Sequence, residues 1–230
     1  MADELLTKTP LSLHPQVLET LGTDHQDDPV VSVARDALAT ARGSWQATLT
    51  GHAKVMSDPT RTEAANMQRS ADAAQRRQTE ALQRLDSAVE RVQREISFID
   101  DSLAAAVEPP APHVTSLIAN RLSGMTADAR HKVISAAIAA DDRATLGAVL
   151  HVGPAWLYGL SDVERNMYLH SFRAERFPQA LARRAALERA AELVKNGGSS
   201  LMVAHAKMYN RKALDDAAAR ARQAEEALGD

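Results

Sequence analysis

The sequence predicts an all-α protein in two parts: a long antiparallel helical hairpin forming a coiled-coil arm, then a compact bundle of short helices. Three observations lead there. The stretch from Thr60 to Val107 is one helical pattern with no glycine or proline inside it. From Leu82 its apolar positions, Leu82, Leu85, Val89, Val92, Ile96, Ile99 and Leu103, step alternately by three and four, as a coiled-coil seam does. No segment alternates polar and apolar residues with period two for long enough to make a strand.

Taken in order, residues 1–28 read as an N-terminal segment, largely irregular, with one short helix from Pro15 to Leu21 stopped by Gly22. Asp24, Asp27 and Asp28 read as a solvated linker rather than a metal site. Asp28 then caps a helix whose first position is Pro29. In that helix Val31, Ala34, Leu38, Ala41, Trp45, Thr48, His52 and Val55 repeat the three-four spacing to about Met56, so residues 29–107 form the arm. Ser57, Asp58 and Pro59 break the two helices apart, and Thr60 with Glu63 has capping-box spacing. So short a connection makes the second helix antiparallel to the first, setting Val55 near Thr62, Trp45 near Asp72 and Val31 near Asp86. Gln78, between Ala74 and Leu82, adds a stutter to the seam. A helix of this length reaches roughly 70 Å at 1.5 Å per residue.

This pairing leaves Ile96, Ile99 and Leu103 beyond the end of the first helix. Large aliphatics are worth about 1.5 to 3 kcal/mol each when buried, while ordering a residue costs about 1 to 2 kcal/mol of backbone entropy. The overhang therefore needs a cover: the N-terminal segment, the C-terminal half, or the same helix of another subunit. The expected interface is Leu82, Leu85, Val89, Val92, Ile96, Ile99 and Leu103.

Residues 108–112, Glu-Pro-Pro-Ala-Pro, read as a stiff linker and a domain boundary. Residues 113–230 then read as a helical domain with a C-terminal amphipathic tail helix. Its helices are expected at about Val114 to Ser123, stopped by Gly124; Ala127 to Ala140, capped by Thr126; and Arg143 to Leu150, after Asp141 and Asp142. The loop HVGPAWLYGL leads to a capping box of Ser161 and Glu164, opening a helix to about Arg176. Pro178 opens another, expected to stop at Asn196, Gly197 and Gly198. The tail helix, about Ser200 to Leu228, has heptad spacing at Leu214, Ala217, Ala221, Ala224 and Leu228.

Composition narrows the function. The chain has 230 residues, 45% of them apolar, enough to bury a core, but only 3% aromatic. Its 27 basic and 30 acidic residues leave a net charge of -3, giving no field that would draw it onto nucleic acid or an anionic membrane. With no cysteine, disulfides, thiolate metal sites and thiol catalysis are excluded. The N-terminal residues lack a signal-peptide pattern and no apolar run is long enough for a membrane span, so a cytoplasmic location is expected.

The eight histidines form no HxxxH pair and no ligand-spaced set with carboxylates, so no metal is expected. Ser161 lacks the second glycine of a nucleophile elbow. The paired carboxylates Asp100 with Asp101, Asp141 with Asp142 and Asp215 with Asp216 read as caps and solvated faces. The run Asn196 to Ser200 resembles a phosphate cradle before a helix, but lacks the P-loop lysine and reads better as a glycine stop and serine cap. Arg165, Arg173, Arg176, Arg183, Arg184 and Arg189, interleaved with Glu164, Glu175, Glu188 and Glu192, read as a salt-bridged surface. Trp156, Tyr158, Tyr168, Phe172 and Phe177 read as the C-terminal core, with the loop holding Trp156 and Tyr158 able to present an aromatic anchor to a partner.

The run from Ala136 to Arg165, with its alanine-rich helix, Asp142, Leu146, Ala148 to Leu150, Pro154, Leu157 and Gly159 to Ser161, resembles small helical proteins encoded among the structural genes of tailed bacteriophages and prophages. The resemblance implies a virion component or assembly factor, located in the host cytoplasm or the particle. The expected function is therefore non-enzymatic assembly through helical and coiled-coil contacts, with a second copy or another structural protein as partner and no cofactor or small-molecule substrate. The alternative is a dimeric DNA-associated regulator using its basic helices; a hydrolase or transferase would need a pocket of convergent polar groups, and no such motif is legible.

Overall fold

The computed structural model describes residues 9–210 and, beyond them, 212, 214–216, 219–220 and 222–223. The described residues form helices joined by short turns and loops, without a strand, so the fold is all-α. Three short 3-10 turns, Leu11–Leu13, Pro15–Leu21 and Thr23–His25, precede seven α-helices: α1 Pro29–Met56, α2 Glu63–Ala105, α3 Pro112–Ser123, α4 Ala127–Ala140, α5 Arg143–His151, α6 Asp162–Arg176 and α7 Pro178–Met208. A further 3-10 turn, Ala155–Tyr158, lies between α5 and α6. The chain divides into two compact units, one of residues 1–95 with 186–230 and the other of residues 96–185.

In the first unit, Asp28 caps α1 by accepting from Val30 N at 2.8 Å, with Pro29 in the first turn where its missing N–H costs nothing. Val31, Ala34, Leu38, Ala41, Trp45 and Thr48 are buried as one stripe, and His52 and Val55 are half-buried. The pairing of α1 with α2 differs from expectation by about one helical turn: Ser44 Oγ donates to Arg77 O at 3.2 Å, and His52 Nδ1 lies 3.0 Å from Ser70 Oγ. The turn explains the shift. Asp58 Oδ1 accepts from the N and Oγ1 of Thr60, Asn66 Nδ2 donates to Asp58 O, and Thr62 rather than Thr60 caps α2, accepting from Ala65 N at 3.3 Å.

The expected helix stop at Asn196 to Gly198 is overturned, because α7 runs unbroken through it. A Cβ on Gly197 would stand 2.7 Å from Leu38 Cδ2 and 3.2 Å from Ser12 O. A Cβ on Gly198 would stand 3.7 Å from Leu82 Cδ2 and Leu85 Cδ1. The two glycines let the α7 backbone approach both arm helices, so the hairpin is covered by a third helix of the same chain. Leu13 and Leu18, in the segment expected to be irregular, are fully buried, and their 3-10 turns pack on α1. α7 ends at Met208, so the expected tail helix from Ser200 is interrupted at Tyr209 and Asn210; the described residues beyond them, Leu214 included, are again helical, and Ala217, Ala221, Ala224 and Leu228 lie outside the described residues.

The second unit collects Val107, Leu122, Ile134, Leu146, Val149, Tyr158, Tyr168 and Phe172 into one core. Residues 108–112 are not a spacer between domains. The Glu108 carbonyl lies so close to α5 that a Cβ on Gly147 would come within 2.3 Å of it, and Val107 belongs to the same core. The boundaries fall instead inside α2 and α7.

Candidate protein-interaction site

The turn from Val152 to Leu160 must leave α5, expose a tryptophan and start α6 within few residues. Gly153 (φ +63°) and Gly159 (φ +70°) supply the left-handed conformations this requires. Two arginines then hold the backbone. Arg165 Nη1 donates to Gly153 O at 2.6 Å. Arg130 donates from Nε to Leu122 O at 3.1 Å, from Nη2 to Met125 O at 2.9 Å, and from Nη1 to Gly159 O. The Ser161–Glu164 capping box, present as the sequence predicts, fixes the entry to α6, and its hydrogen bonds hold the Glu164 carboxyl below its ordinary value.

On this frame the two aromatics part. Tyr158 is fully buried in the core, and burial raises its phenol, whereas Trp156 is 70% exposed. Leu157 and, on α6, Val163 and Met167 one turn apart are also exposed, and the turn contacts α6. Isolated exposed apolar residues are ordinary, but here an indole, a leucine, a valine and a methionine are exposed on two touching elements, and a large exposed apolar group of this kind marks contact surfaces. Tyr158 is therefore corrected from interface to core, where Tyr168 and Phe172 lie as expected, while Trp156 is at the surface.

The expected interface along α2 is mostly used within the chain. Leu85, Val92, Ile99 and Leu103 are buried, and Leu82, Val89 and Ile96 are half-buried. In the first unit Leu82 and Leu85 meet Gly198 of α7, and Ala81 and Ala88 are buried beside them, so the buried face is broader than a two-stranded seam. In the second unit Asp100, between Ile99 and Leu103, is joined to Arg184 at 2.7 and 3.2 Å. The overhang is covered in cis.

The arginine-rich surface carries ion pairs, Arg165 with Asp162, Arg184 with Asp100 and Arg189 with Glu192, and part of it also serves backbone carbonyls. Arg176 donates to Ile138 O and Ala139 O at the end of α4, and Arg165 and Arg130 serve turn carbonyls; of the expected glutamate pairings, Arg189 with Glu192 is present at 2.9 Å. A buried polar cluster in the first unit was not legible: Ser70 Oγ bridges His52 Nδ1 at 3.0 Å and Tyr209 Oη at 2.8 Å, with the His205 ring tilted between Tyr209 and Trp45. Burial holds His52 below its ordinary value. Ser70 sits inside a helix, where no pair of backbone N–H groups is free to form an oxyanion hole, so the cluster reads as a structural network. Among the described residues no group of His, Asp or Glu is arranged to hold a metal, and no helix is long and apolar enough to cross a membrane.

Compared with known proteins, the chain matches no family model, no curated protein and no solved structure.

Proposed function

We propose that the chain is a non-enzymatic assembly or structural protein that acts through protein–protein contact, with Trp156, Leu157, Val163 and Met167 as its contact surface. The observation that carries the reading is the exposure of Trp156 on a turn whose two glycine carbonyls are held, Gly153 O by Arg165 and Gly159 O by Arg130. An anchor held in place before binding loses little conformational freedom on docking, which is where affinity is gained. The resemblance of residues 136–165 to phage structural-gene products supports a second copy, or another structural protein of such a particle, as the partner.

The test is the mass of the purified chain by light scattering across a concentration series, for the wild type and for Trp156→Ala with Val163→Asp. Both positions are exposed, so the variant keeps its helicity. A discrete oligomer that falls to monomer in the variant supports self-assembly through this surface. A wild-type monomer assigns the surface to a different structural protein. An oligomer of unchanged mass in the variant refutes the assignment.

A further inference from the structure

The polar side chains buried among α5, the Ala155–Tyr158 turn and α6 present donors and few acceptors. The hydroxyl of Tyr158, Nε2 of His151 and Nε of Arg173 are each buried with no hydrogen-bond partner, and Tyr158 as a whole is 0% exposed. The three elements that carry them contact one another. Arg165 joins them from α6, two turns before Arg173, with its backbone-facing Nη1 on Gly153 O. His151 is held below its ordinary value by burial first, then by Arg173 and Arg165, and Arg165 acts on Tyr158 against the effect of burial.

Acid is scarce here. Asp162 faces Arg165 at 3.7 Å with its side chain 82% exposed, and Glu164 is engaged by Ser161. Among the described residues no carboxylate pairs with Arg173. Buried donors in folded proteins nearly always find an acceptor. Two guanidinium groups, an imidazole and a phenol supply the fork-shaped, charge-assisted donor set that suits an oxyanion.

We propose that Arg165, Arg173, His151 and Tyr158 form a binding site for a small oxyanion, a carboxylate or a phosphate. Burial grades across the four: Tyr158 is fully buried, His151 and Arg173 are half-buried, and the Arg165 side chain is 24% exposed. The site is separate from the apolar contact at Trp156 and does not depend on it.

The test follows the His151 imidazole by NMR in the full chain, titrated with inorganic phosphate or with acetate at matched ionic strength in chloride buffer. The expected result is a saturable upward move of the His151 titration midpoint with one or both anions, absent at His113 on α3. Arg173→Gln weakens the apparent affinity at least tenfold. Tyr158→Phe removes only the orphaned hydroxyl, keeps the core filled and also weakens binding, so it decides the matter if Arg173→Gln fails to fold. A response to phosphate alone identifies a phosphate site, and a response to acetate alone a carboxylate site. No saturable move with either anion, or an equal response in both variants, overturns the proposal. Trp156→Ala leaves the anion response intact, so failure of the contact surface and failure of this site are read separately.

Discussion

Replacing each of the adjacent glycines of α7 by alanine should move stability in opposite directions. In a helix interior alanine is favoured over glycine by about 0.8 to 1.0 kcal/mol. At Gly198 the new methyl would meet Leu82 and Leu85 at 3.7 Å, ordinary contact distance, and bury itself for about 0.8 kcal/mol more. Gly198→Ala is therefore expected to stabilise by about 1.5 kcal/mol. At Gly197 the methyl would stand 2.7 Å from Leu38 Cδ2 and 3.2 Å from the backbone oxygen of Ser12, so the fully buried Leu38 side chain would have to move. Overpacking of this kind costs about 1 to 3 kcal/mol, so Gly197→Ala is expected to be neutral or to destabilise by up to about 2 kcal/mol. Gly43, exposed in α1 with no atom within 4 Å of its Cβ position, supplies the reference, a gain of about 1 kcal/mol from propensity alone. Urea unfolding of the three variants, with slopes unchanged from wild type, measures all of this. If Gly197→Ala stabilises as much as Gly198→Ala, α7 does not lie against Leu38 and the close-approach argument fails. If both destabilise strongly, the glycines end a helix after all.

Other outcomes follow from the same structure. His52 is held below its ordinary 6.5 by burial, so between its depressed value and 6.5 the unfolded chain binds the proton more readily; stability is fully present above about 6.5 and falls as pH drops through that window, and His52→Gln should flatten that slope in pH-dependent unfolding. Arg130→Ala leaves the carbonyls of Leu122, Met125 and Gly159 without their charged donor and should cost about 3 kcal/mol by thermal unfolding, while exposing Trp156 to altered acrylamide quenching. The Asp100–Arg184 pair, with side chains 43% and 31% exposed, should give a double-mutant coupling of no more than about 1 kcal/mol that declines with salt. Ile99→Asp puts a charge where only 5% of the residue is exposed, so it should unfold the chain locally, read as lost helicity by circular dichroism, and not simply dissociate an oligomer.

What the sequence revealed was local chemistry. The caps at Asp28, Thr126 and Ser161 act within three residues, and the stripe from Val31 to Thr48 follows from helical spacing alone; both reappear in the structure with little change. The hairpin register escaped because the side chains of Asp58, Thr60 and Thr62 decide where α2 begins, and two capping assignments of similar merit differ by two residues, just over half a turn. Gly197 and Gly198 were misread because glycine serves equally as a helix stop and as a place for backbones to meet, and only the facing Leu38 and Ser12 tell the two apart. The exposure of Trp156 against the burial of Tyr158, two residues on, was not legible, since both sit in one short turn whose path is set by Arg130 from another helix. The Ser70–Tyr209 hydrogen bond joins residues 139 apart and leaves no trace in any local pattern.

That division of the chain, in which residues 1–95 and 186–230 share one unit and the stretch between them in sequence forms the other, also sets an order of events during synthesis. The hairpin leaves the ribosome early, but the surfaces of Leu38, Leu82 and Leu85 wait for Gly197 and Gly198, more than a hundred residues later for the first of them. Residues 96–185 have their whole core in hand before that segment is translated and finish first. For as long as elongation takes, at about 5 to 20 residues per second, the nascent arm carries an open apolar groove. In a cell that interval of several seconds is when a chaperone would engage this protein, and where a slow codon run after residue 185 would raise its tendency to aggregate.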